Sequence, residues 1–394
     1  MTKRVEILYK NRIYSQSGVT NKAQLRPTRR PGDGGICVRS MIRNVLTVSK
    51  DEAIITLFSG CTETNEKNII KFINANRINS VYFFVEDVFR LYNSNTNFSL
   101  LETYPLALTP NDIRSYELDI IDRIIKKSKC KYRIFHCEKE AVILSNNYNL
   151  KIEYFDWFFL ESTAINTPFN QDAVINTKIS CFNLRDDWHR SIIMSLIKDF
   201  DGIFSLNNPG RTDLLINNSA VPLPRFNQFI REKIVKGHIS LVELPILWDG
   251  TIDEKTGKVI EPCVSQQLDN TNIITSAFVN VITETRFASL MPNISEKTIK
   301  PMLVRRPFIM IGPVGNLALL RELGFKTFNK WWDESYDLEL DHNKRIEMIY
   351  SIIKSINNML LEELTLLLDE MESVLNHNFT QLSRVESTMT KYLK

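Results

Sequence analysis

Between Val281 and Phe328 the chain gathers three glutamates, three lysines and four arginines around one apolar strand. Glu284 follows an apolar run, Ala277-Phe278-Val279-Asn280-Val281, that predicts a buried strand ending at Val281–Ile282. Ser295-Glu296-Lys297 then opens a short helix with Ser295 as N-cap and Lys297 and Lys300 in its first turns. Pro307-Phe308-Ile309-Met310-Ile311 predicts a second buried strand, Gly312-Pro313-Val314-Gly315 a turn, and Asn316 to Leu323 a helix stopped by Gly324. A helix start offers N–H groups and a positive dipole end to an anion. A carboxylate beside it can accept sugar hydroxyls, and lysines can neutralise a diphosphate. The chemistry this spacing suits is the binding of an anionic, hydroxyl-rich ligand.

The pattern resembles the donor half of two-domain (GT-B) glycosyltransferases, where a Glu … Ser/Thr-Glu-Lys pattern holds a sugar nucleotide. More narrowly, SEKTIKP and RRPFIMIGPVGNLALLRELGFKTFNKWWDESYD are similar to glycosyltransferases of phages and large DNA viruses, over residues 178–350. The resemblance implies a sugar-nucleotide donor held by Glu296, Lys297 and Lys300, with Glu284 orienting the donor sugar or neighbouring hydroxyls. It implies an enzyme of the hexosyl- or pentosyltransferase kind, and a DNA-modifying one as the leading expectation, with a hydroxymethylated base in phage DNA as acceptor. A surface glycan or protein acceptor stays open, as does a non-catalytic sugar-nucleotide fold with a structural or DNA-binding role. An ordinary α/β unit with solvated charges has the same composition.

Other residues could serve such a reaction. Arg185 and Arg190 lie where a strand (Lys178–Asn183) runs into a helix (Asp187–Lys198), the strand end at which open α/β sheets bind ligands. Their guanidinium groups suit a diphosphate. The base that takes the acceptor proton is expected from the first domain. Asp33 in Gly32-Asp33-Gly34-Gly35 is the lead, with Glu86, Asp87, His136 and Glu138 as alternatives. The loop Asn21–Gly35 carries Lys22, Arg26, Arg29 and Arg30 between prolines and glycines, a composition suited to DNA phosphates or to a solvated loop. Asp186-Asp187, Asp199-Phe200-Asp201 and Asp333-Glu334 are the acidic pairs that could hold a metal. Solvated acids are the expectation for them, and no metal or other cofactor is required, since the cations already supply positive charge. Trp331-Trp332 could stack on a base, or close the core of the second domain.

These residues need a scaffold, and the chain supplies a βα rhythm. Val5–Tyr9, Ala53–Phe58, Val81–Val85 and Tyr132–His136 predict strands, with Ile152–Leu160 a further strand-like run. Asn68–Asn74, Ser115–Lys127 and Glu138–Ser145 predict the helices between them. Alternation of this kind predicts an α/β fold of parallel sheets. After a polar linker, Ser162–Thr177, a second series begins, with Gly202–Leu206 as its second strand. Asn207–Gln266 holds five of the 14 prolines and resists assignment. From Asn343 an apolar residue recurs every three or four positions through Val374, which predicts one or two long amphipathic helices. They either cross back onto the first domain or pair two copies of the chain as a coiled coil. The expected organisation is an acceptor-side Rossmann-like domain over 1–170, a donor domain over 178–342 and C-terminal helices over 343–394, the two domains facing across a cleft.

Length and composition agree. At 394 residues the chain suits two domains of ~150–200 residues. With 43% hydrophobic and 24% charged residues it can bury ample core, and a net charge of +3 neither demands nor excludes nucleic acid. Six scattered cysteines form no Cys-x-x-Cys pair; Cys61, Cys130, Cys137 and Cys181 sit in or beside apolar runs, as buried thiols of a reducing compartment would. No N-terminal apolar leader or run of 18 apolar residues occurs, so a cytoplasmic location is expected, that of the host for a viral protein. Gly-x-Gly-x-x-Gly after a strand, Gly-x-x-x-x-Gly-Lys-Ser/Thr and Gly-x-Ser-x-Gly are absent, which removes most of the weight from dehydrogenase, NTPase and α/β-hydrolase readings.

Overall fold

The computed structural model describes residues 51–57, 63–85, 91–93, 113–137, 141–156, 159, 174–183, 188–206, 271–284, 287 and 292–393, with the backbone of two N-terminal strands at 5–9 and 12–15. The described elements divide between two compact units. Each is built on a parallel sheet, as the βα alternation predicts.

The first unit carries a six-stranded sheet. In sequence its strands are β1 (Val5–Tyr9), β2 (Arg12–Ser15), β3 (Glu52–Leu57), β4 (Ser80–Val85), β7 (Lys131–His136) and β8 (Ile152–Tyr154). Their order is β2-β1-β3-β4-β7-β8, parallel throughout except for the antiparallel β1–β2 edge. β5 (Leu91–Asn93) and β6 (Ile113–Ser115) form a separate antiparallel pair that hydrophobic pattern alone did not signal. Ile54, Ile55, Phe83, Phe84, Ile134 and Phe135 are all buried. Adjacent residues point to opposite faces, so both faces of the sheet are covered. Phe84, Phe135 and Phe155 pack with ring centroids 4.8–5.7 Å apart, each burial contributing roughly 1.5–3 kcal/mol. Helix α1 (Glu63–Ala75) presents buried Glu66 to Arg123 and Lys127 of α2 (Tyr116–Ser128), both at 2.8 Å or closer. α2 starts at Ser115, whose hydroxyl accepts from Leu118 N, and ends at Lys129 in the left-handed region. α3 (Ala141–Tyr148) follows β7, and β8 stops at Tyr154, well short of Leu160.

The second unit carries a four-stranded, fully parallel sheet ordered β10-β9-β11-β12. β9 is Thr177–Asn183, β10 Gly202–Leu206, β11 Ala277–Thr283 and β12 Phe308–Ile311. All seven residues of β11 are buried, consistent with a central parallel strand. α4 (Trp188–Ile197) follows β9, α5 (Thr271–Ser276) leads into β11, and α6 (Glu296–Leu303) joins β11 to β12. α7 (Asn316–Glu322) follows β12. Gly324 ends that helix at φ 85°, a left-handed backbone conformation that favours glycine.

The C-terminal pattern resolves into α8 (His342–Asn357) and α9 (Leu361–Leu393). The break needs no glycine or proline: Leu360 N donates to Glu363 Oε2 at 2.8 Å, a side-chain cap for the new helix. α9 holds the chain after α7 through polar side chains. Asn378 accepts from Lys326 N and donates to Lys326 O, both at 2.8 Å, while Gln381 and His377 reach the carbonyls of Leu323 and Gly324. Leu364, Met371, Leu375, Leu382 and Val385 are buried within the chain, so the apolar stripe is largely spent internally. Cys130, Cys137 and Cys181 are buried free thiols. No helix among the described residues is long and apolar enough to cross a membrane.

Candidate functional site

The carboxyl ends of β9, β11 and β12 bring three chain segments together. Each parallel strand delivers the start of its following helix to the same end of the sheet. His189 and Arg190 stand at the start of α4, Glu284 directly follows β11, and Glu284 N donates to Ile311 O at the end of β12. Gly312 comes next, and a Cβ on it would meet Asn316 Nδ2 at 2.7 Å and Glu284 Cβ at 3.3 Å. A glycine there lets the β12 turn pass close to both side chains.

Glu284 is 0% exposed and organises the start of α6. Its carboxylate accepts from Ser295 Oγ at 2.6 Å, Thr298 Oγ1 at 2.7 Å and Ser295 N at 3.2 Å. Lys297 Nζ lies 3.9 Å away. Both oxygens are therefore engaged inside the protein. Glu284, expected to orient the donor sugar or neighbouring hydroxyls, takes the hydroxyls of Ser295 and Thr298, and Ser295 in turn caps α6 by accepting from Lys297 N.

The first turns of α6 carry Glu296, its side chain 12% exposed, with Lys297 and Lys300. Lys297 Nζ sits 3.1 Å from Glu296 Oε1, its side chain 28% exposed. Burial works against the Glu296 charge, but Lys297 and Lys300 outweigh it and hold the carboxyl below its usual range. Glu296 is thus an ionised acceptor next to two cations. Sequence reasoning put these residues on one helix start, and the structure has them there.

Arg190 is 4% exposed, with Nη2 donating to Thr283 O at 3.5 Å. It lies under the strand ends, so a direct grip on a diphosphate, as its position in the sequence implied, needs it to turn outward. His189 Nε2 donates to Glu284 O at 2.8 Å, which leaves Nδ1 unprotonated in the neutral ring. Burial first, then the charges of Arg190, Arg345 and Lys297, push its pKa down to about 3, against the opposing bond to Glu284. Thr283 Oγ1 donates to Asn183 Oδ1, and Asn183 Nδ2 to Cys181 Sγ at 3.3 Å, tying β9 to β11 beneath the site. Burial raises the Cys181 thiol to about 12, which removes it as a nucleophile.

Two further residues build this end of the sheet and had not been singled out. Asn316 pins the chain before α6, accepting from Asn293 N at 2.8 Å and donating to Asn293 O at 2.9 Å. Asp337 sits on the start of α7, accepting from Leu317 N at 2.9 Å and Ala318 N at 3.0 Å. Asn316 could have been sought as the polar first residue after Gly315. Asp337 lies 20 residues from its partner Leu317 and leaves no local signal.

Arg185, Asp33, Lys22, Arg26, Arg29, Arg30, Glu86, Asp87 and Glu138 lie outside the described residues. So do Asp186, Asp187 and the stretch Asn207–Gln266. His136 ends β7 at 0% exposure. Asp199 is exposed beside Lys198, and Asp201 accepts from Thr177 Oγ1 at the amino end of β9. Asp333 accepts from Ser335 N and Oγ, while Glu334 bonds Arg321 at 2.6 Å and Phe328 N at 2.7 Å. No group of three or more His, Cys, Asp or Glu suited to a metal occurs among the described residues. Trp331 and Trp332 pack on Phe328, at 6.2 and 5.2 Å between ring centroids.

No protein-family model matches the chain, and no curated protein does. Among solved structures it is similar to the DNA-modifying enzyme β-glucosyltransferase, solved with and without uridine diphosphoglucose: 8% identity, 87% of this chain and 79% of that chain covered, TM-score 0.44. The T4 phage enzyme with UDP and Mn²⁺ aligns at 12% identity over 87% of this chain and 83% of that one, TM-score 0.41. Its complex with UDP-glucose aligns at 9% identity over 87% and 80%, TM-score 0.42. At this identity and score the likeness carries no argument about activity, substrate or metal.

Proposed function

We propose that the protein is a nucleotide-sugar-dependent glycosyltransferase, hexosyl or pentosyl, whose donor is held at the start of α6. The observation that carries this reading is the ionised Glu296 flanked by Lys297 and Lys300 at the carboxyl end of a parallel sheet. In it, Glu296 accepts ribose hydroxyls and the two lysines face the diphosphate. Arg185 joins them, and Arg190 adds its charge from below or turns outward to the phosphates. Glu284 acts through Ser295 rather than on the sugar.

The reaction is displacement at the anomeric carbon. The acceptor oxygen forms the new bond, the bond to the diphosphate breaks with its electron pair, and the acceptor proton passes to a base. Asp33 is the proposed base. Cations aimed at the departing diphosphate stabilise the charge as it develops. The proposed acceptor is a hydroxymethylated base in phage DNA, met by a domain over 1–170 whose Lys22, Arg26, Arg29 and Arg30 contact phosphates. The donor domain over 178–342 and the C-terminal helices complete the proposed organisation.

The test is calorimetry with a panel of nucleotide sugars, followed by transfer assays on hydroxymethylated and plain DNA, with and without EDTA. Glu296→Ala is expected to weaken donor binding by ~1.5–3 kcal/mol while the protein stays folded. Replacing Arg26, Arg29 and Arg30 by Ala is expected to flatten the salt dependence of DNA binding by up to about three units of slope, leaving the donor affinity unchanged. Unchanged donor affinity in folded Glu296→Ala would sink the donor site. A wild-type protein without salt-sensitive DNA affinity would sink the DNA acceptor alone.

A further inference from the structure

Arg345 heads the fully buried side chains by volume, at 1% exposure on the first turn of α8. A guanidinium there loses its hydration, and it forms no ion pair with a described carboxylate. Asp337 and Glu339 act on it only through space, and burial lowers its pKa to about 10. Its partners are two carbonyls, the Phe287 ring and, at 3.5 Å from Nη2, His342 Nδ1. Nη2 donates to Phe287 O, Nη1 to Glu339 O at 3.3 Å, and the plane lies 3.9 Å from the Phe287 ring centroid. Its Nε–H is buried and meets no acceptor. An apolar side chain of similar length would fill this space without the desolvation cost.

The purpose of such a cation lies in what it holds. The far side of the matter is His189, whose ring is stacked on Phe287 at 5.9 Å and 14°. His189 donates to Glu284 O, and Arg345 to Phe287 O. Glu284 and Phe287 are therefore each held by a hydrogen bond to the backbone carbonyl. Glu284 in turn fixes Ser295 and Thr298, and with them the start of α6.

We propose that Arg345 is a positioning residue for the donor site, holding Glu296 and Lys297 in place through Phe287, Glu284 and Ser295; its link to catalysis rests on the donor-site reading above. A forked cation can direct two carbonyls and a ring together, whereas a methionine can only fill volume.

Arg345→Met and Arg345→Lys separate direction from filling. Arg345→Met is expected to fold with undiminished melting temperature, yet to exchange the amide hydrogens of Lys297 and Thr298 faster than wild type. Its KM for the nucleotide sugar is expected to rise about tenfold with kcat little changed, and Arg345→Lys to recover part of that loss. Wild-type exchange at Lys297 and Thr298 in folded Arg345→Met would overturn the proposal, whatever the ligand. So would failure of both variants to fold, which would make Arg345 a core residue only. Faster exchange with an unchanged nucleotide-sugar KM would overturn the link to the donor site. A wild-type protein that binds no nucleotide sugar defeats the donor-site reading instead, and the exchange result still decides whether Arg345 positions α6.

Discussion

The starts of α6 and α7 follow neighbouring parallel strands, β11 and β12, and reach the same end of the sheet. Each puts N–H groups and a positive dipole end where an anion could bind. They differ in what already sits there. At α7 the carboxylate of Asp337 takes the N–H groups of Leu317 and Ala318, and Gly315 N donates to Asp337 O. Burial raises the Asp337 pKa while those N–H groups oppose the shift, so the helix start and the carboxylate serve one another. At α6 the internal carboxylate, Glu284, is consumed mainly by Ser295 and Thr298, and the helix adds Glu296, Lys297 and Lys300 in its first turns. A helix start is an anion site only until the protein supplies its own anion. Between these two, α6 is the one that carries cations, Lys297 and Lys300, in its first turns.

The largest effect expected from this contrast is on acid stability, on the α6 side. Folded His189 stays neutral down to about pH 3, whereas an unfolded histidine takes up its proton near 6.5. Between those values the unfolded chain binds more protons. Stability therefore falls as pH drops from about 6.5 to 3, by up to about 5 kcal/mol from this group. His189→Gln, whose amide can still donate to Glu284 O, is expected to flatten that limb in urea unfolding followed across pH. An unchanged limb would mean that His189 is not the group responsible.

Next in size is Glu284→Ala. It leaves the Ser295 and Thr298 donors buried without their acceptor, at an expected cost of about 3–5 kcal/mol in unfolding free energy. A loss below about 1 kcal/mol, the scale of one ordinary hydrogen bond, would show that Glu284 does not organise α6. The smallest is Asp337→Asn, which removes charge from the α7 start at about 1–2 kcal/mol. Nucleotide-sugar affinity should be untouched by it. Lost affinity in that variant would blur the contrast, because α7 would then belong to the ligand site too.

Much of this was legible in the residues. Ala277–Thr283 and Phe308–Ile311 are apolar runs too short for helices, so their strand character followed from length and periodicity. Ser295 as N-cap and Gly324 past α7 are local events, decided within one turn of chain. The grouping of Glu296, Lys297 and Lys300 is local for the same reason.

The rest depends on contacts across long separations. The sequence places Glu284 beside a ligand-binding pattern, but whether its carboxylate faces a sugar or Ser295 is decided by the path back to α6. Arg190 is likewise set by β11, since its carbonyl partner is 93 residues away. Arg345 did carry a trace in sequence, a charge four residues before Ile349 on the buried stripe of α8, yet its partner Phe287 is 58 residues distant. Composition and spacing determine secondary structure because hydrogen bonds and side-chain period act over a few residues. Whether a carboxylate or guanidinium meets ligand or protein depends on burial and on partners brought from other elements, and those exist only once the sheet has formed.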